Sequence, residues 1–127
     1  MMADTLSKPP NQAESTLPTK LRAVWLSYDL GVKGDYEGLY VWLDDHKAQE
    51  CGDSLAYFQY AYTTDPMAEL AEELKKSIAM TNATRLYAMI FDPETQKTRG
   101  QFLVGSRRIA PWVGRGTSHL ESQSDEG

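Results

Sequence analysis

The apolar run Arg22-Ala23-Val24-Trp25-Leu26-Ser27-Tyr28-Asp29-Leu30 constrains this chain more than any other stretch. Val24, Leu26 and Tyr28 would share one face of a strand, and Ala23 and Trp25 the other. Apolar residues on both alternating faces predict a central strand buried on both sides of a sheet. Asp29 is then the anomaly. A carboxylate at the end of a buried strand needs a partner, a metal or water.

The rest of the chain supplies elements for that strand to pair and pack with. Gly31 and Gly34 mark a turn, and Asp35 is placed to cap a helix whose apolar face is Tyr36, Leu39, Tyr40 and Leu43, widened by Val41 and Trp42. Gly38 weakens that helix by about 1 kcal/mol relative to alanine, so its presence implies close packing or backbone approach. The helix should end near His46-Lys47, where positive charge suits the carbonyl end. After Cys51-Gly52-Asp53, the aromatic run Ser54-Leu55-Ala56-Tyr57-Phe58-Gln59-Tyr60-Ala61-Tyr62 reads as a second strand.

Asp65-Pro66 is the clearest boundary: an acid able to cap, then a proline suited to the first helical position. Met67, Leu70, Ala71, Leu74 and Ile78 follow at helical spacing, with Glu69, Glu72 and Glu73 early and Lys75 and Lys76 late, in agreement with the helix dipole. Arg85-Leu86-Tyr87-Ala88-Met89-Ile90-Phe91 reads as a third strand and residues 98–105 as a fourth, joined by an Asp92-Pro93-Glu94-Thr95 turn into an antiparallel hairpin. Gly100 inside the last strand suggests a bulge or an edge. The predicted order is β-α-β-α-β-β. It fits an α+β, ferredoxin-like two-layer sandwich, with a mainly antiparallel four-stranded sheet and two helices on one face.

A chain of 127 residues predicts one domain. Residues 1–19 and 117–127 are polar, too poor in apolar side chains to offset the cost of ordering, and are expected to be disordered tails around an α+β domain at 20–116. A core of that size would gain from dimerisation. The net charge of −5 is unevenly spread. Residues 29–53 hold seven acids against two lysines, whereas residues 95–116 hold Lys97, Arg99, Arg107, Arg108 and Arg115 and no acid. Such asymmetry could attract phosphate or the acidic part of a second copy, although a solvated hairpin is the simpler account of it. Cys51 is the single cysteine, which excludes an internal disulfide and fits a reducing compartment. With no membrane-length apolar run and no signal-peptide pattern, cytoplasm is the default.

Few motifs carry chemistry. There is no P-loop, dinucleotide-binding glycine pattern or CxxC pair. His46 and Cys51 could pair as base and nucleophile, but a helix-terminal histidine and a small buried thiol account for them with less. Of the acids Asp29, Asp35, Glu37, Asp44, Asp45 and Asp53, only Asp29 stands where solubility or capping does not explain it, which makes it the candidate ligand for Mg²⁺ or Mn²⁺. Lys97, Arg99, Arg107 and Arg108 are candidates for phosphate or nucleic-acid contact. Ile109-Ala110-Pro111-Trp112-Val113 is an apolar patch that would either fold back on the core or meet a partner.

Two resemblances bear on these residues. Trp25-Leu26-Ser27-Tyr28-Asp29-Leu30, Gly34-Asp35-Tyr36-Glu37-Gly38-Leu39 and Glu50-Cys51-Gly52-Asp53-Ser54-Leu55-Ala56 look like segments of small bacterial hypothetical proteins without an assigned activity. The layout of residues 23–91 also resembles the small CRISPR-associated ferredoxin-like nuclease family: an apolar strand ending in Tyr28-Asp29, an amphipathic helix, Gly52 leading a second strand, then a leucine-rich helix and a short apolar strand. That likeness implies a dimer in which strand-end aspartates face each other and can hold a metal; only Asp29 carries over. Basic residues of that family's first helix do not, since Asp35, Glu37, Asp44 and Asp45 occupy this region. The expected function is therefore non-enzymatic protein association, as a homodimer or with a protein partner, and no cofactor. The alternatives are a metal-dependent nuclease or phosphodiesterase and a nucleic-acid-binding module without cleavage.

Overall fold

The computed structural model describes residues 19–117, so most of the two expected tails, and His119, lie outside the described residues. Seven elements follow in order: β1 (Lys20–Asp29), α1 (Tyr36–Asp45), β2 (Gln49–Glu50), β3 (Leu55–Tyr62), α2 (Pro66–Ser77), β4 (Arg85–Asp92) and β5 (Lys97–Val104). The strands form one antiparallel sheet in the order β2-β3-β1-β4-β5, with β1 at its centre. Two helices and five strands replace the expected two and four. The extra strand, Gln49–Glu50, is held by pairing with Tyr57 and Ala56 and not by any apolar pattern of its own. The order thus becomes β-α-β-β-α-β-β. As Gly100 suggested, β5 is an edge strand, and a register irregularity falls between Leu86 and Tyr87 of its partner.

Local chemistry sets the helix starts. Asp65 accepts hydrogen bonds from the N–H groups of Met67 (3.1 Å) and Ala68 (3.3 Å), and Pro66 opens α2 where its missing N–H is not needed. One turn in, Glu69 reaches back to the N–H groups of Thr63, Thr64 and Asp65 at 3.0, 2.8 and 2.9 Å. Burial pushes the Glu69 carboxyl up, but the N–H groups of Thr64, Asp65 and Thr63 outweigh it and hold the group below its usual range. Asp35 caps α1 through Gly38 N–H (2.9 Å) and also accepts from Ala79 N–H (2.9 Å), tying the start of α1 to the end of α2. These two N–H groups, Ala79's first, lower its pKa. Here the glycine is explained: a Cβ at Gly38 would stand 2.4 Å from the Asp35 carboxylate and 3.0 Å from the Ser77 carbonyl.

Both helices pack on one face of the sheet. Val24 and Leu26 of β1, Phe58 and Tyr60 of β3, and Leu86, Ala88 and Ile90 of β4 meet Leu39, Trp42 and Leu43 of α1 and Met67, Leu70 and Leu74 of α2 in one buried cluster. Burying side chains of this size contributes roughly 1.5–3 kcal/mol each. The polar tips of Trp42 and Tyr60 reach the rim of this layer, where Glu73 accepts from both, at 3.0 and 3.2 Å. The opposite face carries Trp25, Ser27 and Asp29 of β1 without a covering helix. The expectation that β1 is buried on both sides is therefore corrected, because two helices suffice for only one face. Among the described residues, no helix is long and apolar enough to cross a membrane.

Candidate functional site

Antiparallel register builds the open face row by row. Trp25 lies opposite Tyr57 on one side and Met89 on the other; Ser27 lies opposite Leu55 and Tyr87, and Tyr87 opposite Phe102. The Trp25 and Tyr57 rings are 5.1 Å apart, and the Tyr87 and Phe102 rings meet edge-on at 4.9 Å. The last row pairs Asp29 with Arg85. Charge therefore enters this face at the end where β1 stops and β4 begins.

Asp29 is tied on three sides. Its Oδ1 accepts from Gly31 N–H (3.2 Å), which closes the turn after the strand. Its Oδ2 accepts from Arg108 Nη2 (3.1 Å) and lies 3.6 Å from Arg85 Nη2. Arg108 can reach it because the chain turns back at Gly105, whose φ of 82° suits glycine; a Cβ there would meet Thr84 and Arg85 at 2.9 Å. Arg85 Nη1 then donates to the Ser106 carbonyl (3.2 Å). Arg107 extends over the rings of Tyr87 (5.8 Å) and Phe102 (5.5 Å). A cavity of about 400 Å³ results, lined by Ser27, Asp29, Arg85, Tyr87, Phe102, Arg107 and Trp112.

Of the four candidate phosphate contacts, Arg107 and Arg108 come to this site while Lys97 and Arg99 do not. Lys97 pairs with Asp92 at the other end of β4 from Arg85, roughly 23 Å away at a strand's rise per residue. Arg85 is the residue of this site that sequence reasoning passed over. Its signal was faint: a basic residue opening a strand, meaningful only once that strand is known to pair antiparallel with β1.

As a metal ligand, Asp29 is poorly placed within one chain. Two guanidinium groups already balance its charge, and among the described residues no group of three or more His, Cys, Asp or Glu side chains could hold an ion. Asp44 and Asp45 face solvent. His46 stacks on Trp42 at 3.7 Å, with Nε2 3.3 Å from Glu73 and Nδ1 2.7 Å from the Trp42 carbonyl. Cys51 is exposed, not buried as expected, because β2 is an edge strand and the turn after it has nothing packed above; its Sγ contacts the Gln49 carbonyl at 3.9 Å. These separate partners leave the two residues without a shared catalytic arrangement.

The apolar patch does not fold back on the core. Ile109, Trp112 and Val113 are 87, 72 and 63% exposed, and Pro111 is exposed as well. Yet the segment has a defined turn, with Val113 N–H donating to Ala110 (3.2 Å) and Arg115 N–H to Trp112 (3.0 Å). Comparison with protein-family models, with curated proteins and with solved structures finds no match to this chain.

Proposed function

We propose that this chain is a protein-association module that works as a homodimer, closed through the open face of its sheet. The observation that carries the reading is the row Tyr57-Trp25-Met89, apolar side chains at the centre of a sheet face that no helix covers. Leu21, 60% exposed, extends it along β1, and the turn from Ile109 to Val113 offers a second apolar surface at the margin. Half-buried Trp25 and Tyr57 thus join exposed Met89 and Leu21 in one apolar patch, a kind of surface that marks interaction sites.

The small core favours a second copy as the occupant, since covering this row would add to it. The charges at the sheet's edges do not enter this face: Glu50 lies opposite Ala56 and Arg99 opposite Ile90, both on the helix-covered side, so the margins of the open face are not charged by them. The strands are ordered β2-β3-β1-β4-β5, which leaves β1 at the middle of a face-to-face pairing. A ferredoxin-like reading of the fold is supported by the same order: β1 lies between β3 and β4, with β2 outside β3 and β5 added at the far edge.

The family resemblance keeps one rival in view. A dimer that set two Asp29 carboxylates opposite each other would have the arrangement expected of a metal-dependent nuclease. Each would have to exchange its arginines for the cation, so the association reading stands first.

Sedimentation of the full chain over a range of concentrations tests the proposal. The dimer is expected to dissociate on dilution, and Trp25→Glu to yield a monomer with unchanged helical circular dichroism. A strict monomer at all concentrations, for the parent chain, would overturn it.

A further inference from the structure

We propose that the Asp29 end of the open face binds a nucleotide unit, a phosphate ester joined to a planar base. This goes beyond self-association, which rests on the Tyr57-Trp25-Met89 row and not on this end.

The cavity of about 400 Å³ has the size of a small-molecule site, and a neighbouring hollow of about 570 Å³ shares Arg85, Phe102, Arg107 and Trp112 with it and adds Arg108. Three guanidinium groups stand here against one carboxylate, in a chain whose net charge is −5. Asp29 offsets one of the three, so the site retains positive charge and favours an anion.

Arg85 is incompletely paired as it stands. Nη1 donates to the Ser106 carbonyl and Nη2 lies 3.6 Å from Asp29 Oδ2, an ion pair beyond hydrogen-bond distance, while Nε is buried without an acceptor, the one such side-chain atom among the described residues. An unpaired buried donor is costly, so a guanidinium turned toward a phosphate, offering Nε and Nη2 together, would recover a bond that it lacks here.

A bare anion would not use the walls. Tyr87, Phe102 and Trp112 present three aromatic rings within the same cavity, and Arg107 lies as a cation over two of them. Rings beside guanidinium planes provide stacking surfaces for a base, tolerant of which base it is. Phosphate and base together therefore explain the site better than either alone.

Two sources could provide this chemistry, a free mononucleotide or a residue of single-stranded nucleic acid. The full chain is titrated with AMP, adenosine, inorganic phosphate and a short oligothymidylate, following tryptophan emission and the amide shifts of Arg85 and Tyr87. AMP is expected to bind at least about tenfold more tightly than phosphate or adenosine, since charge-assisted bonds and stacking add. Arg107→Ala should weaken binding about tenfold or more, and Trp112→Ala by a smaller factor; both side chains are exposed, so neither change threatens the fold. Tighter, salt-sensitive binding of the oligonucleotide assigns the source to single strands, and the reverse assigns it to free nucleotide. No saturable binding of either ligand, binding of phosphate as tight as AMP, or binding unmoved by both substitutions would overturn the proposal. Sedimentation of the same samples reads association separately, so failure of one reading is distinguishable from failure of the other.

Discussion

The two faces of the sheet are made of similar residues and have different fates. On the helix side, Phe58 and Leu26 are 1 and 0% exposed and every neighbour belongs to the same chain. On the open side, Trp25, Tyr57, Tyr87 and Phe102 rest on each other across strands and stop half-buried. Aromatic content therefore does not distinguish core from surface in this protein. What distinguishes them is whether α1 and α2 lie overhead, and the helix caps decide that. Asp35 and Asp65 fix where the helices begin, and the bond from Ala79 to Asp35 fixes how they sit together.

The sharpest break between the faces should come at adjacent residues of β3. Phe58→Ala empties a site walled by Trp42 and other core side chains and should cost about 3–5 kcal/mol, read as a shift in the urea midpoint. Tyr57→Ala, one residue away on the other face, should cost a fraction of that while weakening self-association. Equal losses of stability would mean that the open face is as much a core as the closed one.

Gly38→Ala probes how the closed face is assembled. In an exposed helix this change is stabilising by about 1 kcal/mol. Here the new Cβ would press on the Asp35 carboxylate and the Ser77 carbonyl, so the sign should invert to a loss of roughly 1–3 kcal/mol. A gain in stability would show that the junction of α1 and α2 is looser than its hydrogen bonds imply.

Legibility followed locality. Both caps, the apolar face of α2 and the β4–β5 hairpin rest on residues close in sequence, and each could be read from the chain. On α1, Leu39, Trp42 and Leu43 are buried as expected, but Tyr40 and Val41 are 52 and 56% exposed because the sheet covers a narrower stripe than the apolar residues occupy. Gly38 announced a close approach, though not the carboxylate that makes it. Gln49–Glu50 could not be read, because two polar residues become a strand only when Tyr57 and Ala56 lie beside them. Burial of Trp25 was misjudged for a related reason: alternation places a side chain on a face but does not say what covers that face. Arg85 escaped notice because its meaning depends on register, which sets it opposite Asp29 across a separation of 56 positions. The Asp29 end was half legible, as Arg107 and Arg108 were in view while the turn at Gly105 that delivers them was not.

Asp29→Asn is the subtlest way to test the open face, and the most informative about its charged end. The carboxylate is 48% exposed and Arg108 67%, so these pairs are screened and contribute little, of order 0–1 kcal/mol together. Asparagine keeps an oxygen for Gly31 N–H, and the turn should survive. The expected result is a stability nearly unchanged, with shifts confined to the amides of Gly31, Arg85 and residues near Arg108. Removing the negative charge also leaves three arginines unopposed, so AMP should bind more tightly to the variant than to the parent. A divalent-ion site makes the opposite forecast. Mg²⁺ or Mn²⁺ would then perturb those amides in the parent and not in the variant, and any phosphodiesterase activity would vanish with the carboxylate. Parent amides indifferent to Mg²⁺, with tighter AMP binding in Asp29→Asn, would make the carboxylate the restraint on an anion site and remove it as a metal ligand.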